Sequence, residues 1–301
     1  MSKDPFLNPD YKPDDKTRQE IEKLHDNGVS LSGIHLKYAN MKNAKLVNVD
    51  MSGADLTRSD FSGASMYGAN LEGAKLFKAN LEGANLKSAN LCNCDLLGAD
   101  FSNTKLNNIE WGEDYKIINE QEAEAALQEG NPEKAKEKYK EAEDIYRTLK
   151  ISLQTQTLGD DVGKFFEREM ITRRKQMPRF SPLRIISKLA HLTTGYGEKV
   201  RNIFYTAIWV IIICALLYGI DGVLYKGEII GFFGDVEQCG GIMNVIGNLI
   251  YFSVVVFTTV GFGDIVPIDA LGKSLVIFEG LSGTLIISIL IIALYKQHMD
   301  R

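Results

Sequence analysis

The sequence predicts a multi-domain membrane protein in three parts. A square coil comes first, then an α-helical hairpin module, then an all-α segment with two membrane spans around a short re-entrant helix. Three observations predict it. A large apolar residue recurs every five positions from Leu31 to Trp111. Residues 113–175 are rich in helix formers and broken twice. Two apolar runs, residues 203–220 and 274–295, flank a shorter one at 245–257. A length of 301 residues has room for about two domains. The net charge is −5, with charge crowded into the middle and apolar residues into the last third.

Residues 1–30 are expected to form an N-terminal cap. Met1-Ser2-Lys3-Asp4-Pro5 leads into no apolar core, so no signal peptide is expected. Asp14 and Asp15 can cap a short helix, Lys16 to His25, that ends before Gly28 and covers the open end of the coil beginning at Leu31. His25 reads as a surface residue rather than a ligand.

The five-residue period fits neither a strand nor a helix. It suggests a square coil, one repeat per side, with one large and one small inward position. Two residues before each large position the side chain is mostly Ala, with Ser59, Cys94 and Thr104 also small. Segments such as Ala69-Asn70-Leu71-Glu72-Gly73 and Ala84-Asn85-Leu86-Lys87-Ser88 resemble the pentapeptide-repeat family, A-(D/N)-L-x-x. The resemblance implies a right-handed quadrilateral β-helix over residues 31–112, of about four coils. At ~4.8 Å per strand it would stand ~20 Å tall, with sheet edges at both ends that need covering. Some family members imitate DNA with an acidic surface. Here eight acids balance eight bases over residues 31–112, so a structural or docking module is expected instead, and no nucleic-acid partner. The four cysteines make no disulfide framework: Cys92 and Cys94 lie in the repeat, Cys214 in an apolar run, Cys239 in a loop. Cys-x-Cys without a second pair is weak grounds for a metal, and none is expected.

Residues 113–175 are expected to form a cytoplasmic helical module. Glu120 to Gln128 reads as a helix stopped by Gly130-Asn131-Pro132. Pro132 opens a second, Glu133 to about Leu153, with an apolar stripe through Tyr139, Ile145, Tyr146, Leu149 and Leu153. Gly159-Asp160-Asp161 breaks the chain before a third, Val162 to Lys175. Residues 142–150 and 163–170 resemble a helical module often joined to pentapeptide repeats, and loosely a tetratricopeptide hairpin. Fifteen acids against nine bases over residues 113–170 read as solvated helix faces, or as a regulatory surface. Residues 176–201 form a basic interfacial linker. Residues 173–201 carry eight bases against Glu198 alone. Ile185, Ile186, Leu189 and Leu192 give a helix there an apolar face for the membrane surface. Bases beside a span place this side in the cytoplasm. His191 reads as interfacial packing.

Ile203 to Ile220 contains no charge, and its eighteen residues approach the ~30 Å hydrocarbon core. Trp209 and Tyr218 read as ordinary residues of this span. Residues 221–243 are expected to be an outer loop. Val245 to Phe257 is too short to cross and reads as re-entrant. Irregular backbone after it is tolerable only where buried or lining water. Ser274 to Tyr295 is the second span. Both spans return to the basic side, so both termini are expected in the cytoplasm, on a multi-pass protein of the cell membrane.

Between re-entrant helix and second span stands Thr258-Thr259-Val260-Gly261-Phe262-Gly263-Asp264. Its alternating glycines admit dihedrals that other residues avoid, so successive carbonyls can point to one side. A ring of such strands would stack oxygens able to replace a cation's water shell. A glycine-rich turn is the plain alternative. The stretch resembles the selectivity-filter signature of the potassium-channel superfamily, with Phe262 where many members carry Tyr. The flanking spans resemble its two-transmembrane members. The resemblance covers about residues 200–296 and implies a pore domain at 202–296. Thr259, Val260, Gly261 and Phe262 would bind K⁺ in a filter spanning 259–263, and Thr258, Gly263 and Asp264 would support it. Some members place a Glu four residues before the first of these, where Val255 stands. Gly283 falls where related channels carry an inner-helix hinge. Close packing is its alternative role, and Gly280 a competitor. Ile287, Ile291 and Tyr295 follow as gate candidates. Glu279, costly within a span, is expected to face the pore helix.

The expected function is passive, K⁺-selective conduction by a homotetramer in a lipid bilayer, since one chain supplies one filter strand. K⁺ is the permeant ion, with no cofactor and no other metal. No membrane arginine series exists, so voltage dependence should be weak. Only Gln297 to Arg301 follow Lys296, so gating or assembly is expected through the N-terminal domains, with an unidentified cytoplasmic ligand or protein as candidate input. The alternatives are a non-selective cation channel and a membrane-anchored pentapeptide-repeat scaffold. No nucleophile, base and oxyanion set is seen, so no enzyme is expected.

Overall fold

Every twenty residues the chain returns above itself. His35 bridges Asp55 in parallel, Asp55 bridges Lys75, and Lys75 bridges Asp95; columns begun by Asn40, Lys45 and Asp50 make the other three sides. This is a computed structural model; it describes residues 2–156, 159–233 and 241–299, in two compact units, Met1–Lys188 and Leu189–Met299.

Each corner of the coil is a four-residue turn. The Ala39 N–H bonds Leu36 O at 3.1 Å and the Ala44 N–H bonds Met41 O at 3.1 Å. φ is positive at Tyr38 (62°) and Asn43 (56°), the third residues of those turns, which is the type II signature. Gly or Asn fills most of these corners. The Asp or Asn of each repeat serves the same corner. Asp60 Oδ1 accepts from the Ser62 N–H at 3.0 Å and Asn80 Oδ1 from the Glu82 N–H at 3.0 Å, as Asx turns do. All the large positions from Leu31 to Trp111 are buried, and so are the small ones. Burying a Leu is worth roughly 1.5–3 kcal/mol. The three polar small residues are each satisfied: Ser59, Cys94 and Thr104 donate to Leu56 O, Leu71 O and Leu81 O.

Both open edges are covered. Helix α1 (Thr17–Asp26) buries Ile21 and Leu24. A neighbouring stripe, one helical turn apart at each step, meets the first coil's main chain: Arg18 to Lys42 O (2.8 Å), Glu22 to the Lys45 N–H (2.9 Å), His25 to Val47 O (3.0 Å). His25, expected as a plain surface residue, is thus half-buried and part of the cap. Replacing Arg18, Glu22 and His25 together by Ala should cost about 1 kcal/mol per lost bond. An unchanged guanidinium midpoint would show that water serves the edge equally well.

The far edge is met by the helical module: α2 (Ile118–Gln128), α3 (Pro132–Gln154) and α4 (Gly159–Gln176). Asn131 caps α3, accepting from the Lys134 N–H at 3.1 Å, with Pro132 at its first turn. Ile145, Tyr146, Leu149 and Leu153 join the coil's own core. Ser152 donates to Phe101 O and Gln156 Oε1 accepts from the Leu106 N–H, both at 2.9 Å. Trp111 meets Phe165 edge-on at 5.0 Å. Gly159-Asp160-Asp161, expected as a break, instead opens α4, where Asp161 in the first turn favours the helix dipole. Helix α5 (Pro182–Thr194) exposes Leu183, Ile185, Ile186, Leu189 and Leu192.

The second unit contains α6 (Val200–Asp221), strands β1 (Val223–Tyr225) and β2 (Glu228–Ile230), α7 (Ile242–Phe257), β3 (Ile265–Pro267) and α8 (Ala270–Met299). Residues 221–243, expected as loop, hold a hairpin, and β3 joins it antiparallel in the order β2-β1-β3. Lys226 (φ 51°) and Gly227 (φ 88°) turn it, as a two-residue type I′ loop requires. Cys239 lies outside the described residues. α8 begins four residues before the expected Ser274, because Asp269 Oδ1 accepts from the Gly272 N–H at 2.8 Å and caps it. α6 and Ala270–Lys296 of α8 are long and apolar enough to cross a membrane.

Candidate functional site

α7 carries no charged residue and ends at Phe257. A helix leaves its last four carbonyls unpaired; here the chain folds back to take several of them. The Thr258 N–H bonds Val254 O (2.9 Å), the Thr259 N–H bonds Val256 O (2.9 Å), and the N–H groups of Val260 (3.1 Å) and Gly261 (3.5 Å) both reach Val255 O. The donors of this stretch therefore all face α7. φ is positive at Thr259 (59°), Gly261 (59°) and Gly263 (76°), and not at Val260 or Phe262 between them. Such alternation sets successive carbonyls on one side. Among the described residues no hydrogen bond reaches the carbonyls of Thr259, Val260, Gly261 or Phe262. The glycines were legible in this role. Thr259 was not, and holding it left-handed costs about 1–2 kcal/mol.

Asp264 accepts a hydrogen bond from the Tyr251 hydroxyl at 3.0 Å. Tyr251 lies one helical turn before Val255, so α7 supplies a phenol where a glutamate was sought. The spacing to Val255 was the available signal.

Glu279 is fully buried and joins three helices. The Tyr218 hydroxyl of α6 donates to its Oε2 at 2.8 Å. Ser253 of α7 donates to Oε1 and also lies 2.9 Å from Ile211 O. Tyr218, expected as an ordinary span residue, is thus a structural partner, and its ring meets Phe252 edge-on at 4.8 Å. Gly283 sits where α8 passes the end of α7: a Cβ there would lie 2.1 Å from Phe257 O. Gly280 is looser, with Val256 O 3.9 Å from the same position. Ile287 is half-buried, and Ile291 and Tyr295 are exposed.

In the first unit, burial pushes the Cys94 thiol up to about 12. Burial, then Glu110 and Glu72, raise Cys92 as well. Neither is a thiolate at neutral pH, and among the described residues no group of three or more His, Cys, Asp or Glu is placed to hold a metal. The module's acids are not all solvated. Glu120 is fully buried, accepting from the Tyr146 hydroxyl at 2.7 Å, with Lys175 Nζ at 3.3 Å. Burial opposes charge at Glu124, but hydrogen bonds from Lys116 and Lys175 hold its carboxyl below the usual range.

Residues 220–297 match the family model described as ion channel, and residues 27–63 and 69–108 match that of pentapeptide repeats, in eight copies. The pentapeptide repeat protein Rfr23 of the cyanobacterium Cyanothece 51142 is 38% identical over 27% of this chain and 56% of its own, with a TM-score of 0.27. One from Nostoc Pcc 7120 is 30% identical over 33% and 78% of the two chains, TM-score 0.18. One from the Arabidopsis thaliana thylakoid lumen is 33% identical over 27% and 57%, TM-score 0.17. The chain thus spans little more than half the length of Rfr23. No curated protein matches it. The chain carries pentapeptide repeats toward its N-terminus and an ion channel domain toward its C-terminus.

Proposed function

We propose that the protein conducts K⁺ selectively through a pore shared by four identical chains. One observation carries this reading. The N–H groups of residues 258–261 are spent on α7, while the carbonyls of residues 259–262 accept no hydrogen bond among the described residues. Oxygens left unpaired in this way can replace the hydration of a monovalent cation. One chain offers one such strand, so a closed ring needs copies around an axis. Val260 and Phe262, 54% and 69% exposed, then have neighbouring chains to pack against. In this reading Asp264 and Tyr251 brace the ring from behind, and Ile287, Ile291 and Tyr295 face the inner passage. The repeats wind as a right-handed quadrilateral β-helix in the cytoplasm, with both termini on that side. Gating enters through the N-terminal domains.

Flux from liposomes tests the reading. Vesicles holding the full chain should release K⁺ and retain Na⁺. Equal passage of both would favour a non-selective cation channel. Passage of neither, from protein that still assembles, would favour the scaffold.

A further inference from the structure

The start of α6 carries an uncompensated positive charge beside an apolar groove. The groove, roughly 520 Å³, runs between the end of α5 and the first half of α6. Leu192 forms its rim and Tyr205, Trp209 and Ile213 its wall, and all four are at least half exposed. The hydroxyls of the two threonines nearby are spent internally. Thr206 donates to Thr193 O (2.7 Å) and Asn202 O (2.9 Å), and Thr193 donates to Leu189 O (2.7 Å). These bonds leave an apolar surface and hold the two helices at a fixed separation.

One end of the groove differs. Asn202 lines it there, and its amide has no hydrogen bond among the described residues. Arg201 stands one turn before Tyr205, on the same face, exposed and without an ion pair among the described residues. The first turn of α6 holds no acid. Glu198, the nearby carboxylate, is paired with Lys296 at 2.7 Å. A base at a helix N-terminus opposes its dipole, so Arg201 at this end calls for an anion. Aromatic residues such as Tyr205 and Trp209 settle at the level of lipid headgroups.

We propose that the groove binds one acyl chain of an anionic phospholipid, whose headgroup meets Arg201 and Asn202. The proposal rests on the membrane reading of α6. The basic side chain sets the headgroup's charge, and the groove sets the depth of the chain beside Trp209. Occupation bridges α5 to α6, next to the Glu198–Lys296 pair that ties the end of α8 to the start of α6.

The test is quenching of Trp209 fluorescence by lipids brominated on the acyl chain. The full chain carries Trp111→Phe to remove the second tryptophan and is reconstituted into vesicles; flotation with the vesicles checks the membrane reading separately. Brominated phosphatidylglycerol should quench at about five-fold lower mole fraction than brominated phosphatidylcholine, the worth of one basic side chain at an anionic surface. Arg201→Gln should bring the two lipids to parity. Ile213→Phe, which fills the groove without adding a tryptophan, should also weaken the preference, and it serves if the first variant fails to assemble. Equal quenching by both lipids would mean bulk contact only and would overturn the proposal. No quenching of a chain that floats would mean that protein covers the groove, and would also overturn it. A chain that does not float would remove both the site and the membrane reading.

Discussion

Gly283→Ala is expected to abolish ion flux and to weaken the folded second unit together. The added methyl would lie 2.1 Å from Phe257 O, far inside van der Waals contact, and the obstacle is main chain rather than a side chain that can swing away. Relief needs α8 to move off the end of α7. Overpacking of this kind costs roughly 1–3 kcal/mol per chain, and in a tetramer it would be felt four times. The same movement would disturb Val255 and Val256, whose carbonyls hold residues 259–261. A pure hinge role predicts otherwise: intact assembly and thermal stability, with only the open probability changed. Detergent-resistant assembly, melting temperature and K⁺ flux measured on one preparation separate the two. A stable, normally assembled Gly283→Ala with altered gating would sink the packing account.

The second large effect is at Glu279. Truncation to Ala removes the acceptor for Tyr218 and one acceptor for Ser253, inside a unit where water is scarce. Each buried hydroxyl left without a partner costs about 1–3 kcal/mol, and the lost side chain leaves a cavity beside it. Glu279→Ala should therefore lower the melting temperature and reduce flux. Glu279→Gln should be much milder, since an amide of the same shape still accepts from Tyr218 and can donate to Ser253. Ser253 retains Ile211 O, so Ser253→Ala should fall between. If Glu279→Ala matches the unaltered chain in both measurements, the three-helix junction is not what holds α7 in place.

Much of this was legible beforehand because it is periodic or long. A five-residue repeat can hide its large residues only by winding on itself, and runs near Ile203–Ile220 and Ser274–Tyr295 stand out by length and apolar composition. The features that escaped notice depended on short polar contacts between distant segments. The stripe of Arg18, Glu22 and His25 looks like any solvated helix face until a coil edge lies opposite. Tyr251 to Asp264 and Tyr218 to Glu279 join residues whose separation carries no pattern. The hairpin at 223–230 could have been found from Val-Leu-Tyr-Lys-Gly-Glu-Ile-Ile, but three-residue strands beside long apolar helices are easily read as loop. The corner glycines and asparagines repeat as regularly as the leucines, and their need for positive φ explains them as directly.

The twenty-residue turn of the coil has a consequence for length. α1 and α3 each seat on a particular side of the square. Adding twenty residues would insert one storey, raise one cap by about 4.8 Å and leave the two in the same rotational phase. Adding five would swing one cap a quarter turn past the other. Chains of this design can grow or shrink in whole storeys while keeping the elements at either end aligned, so height and orientation are adjusted separately.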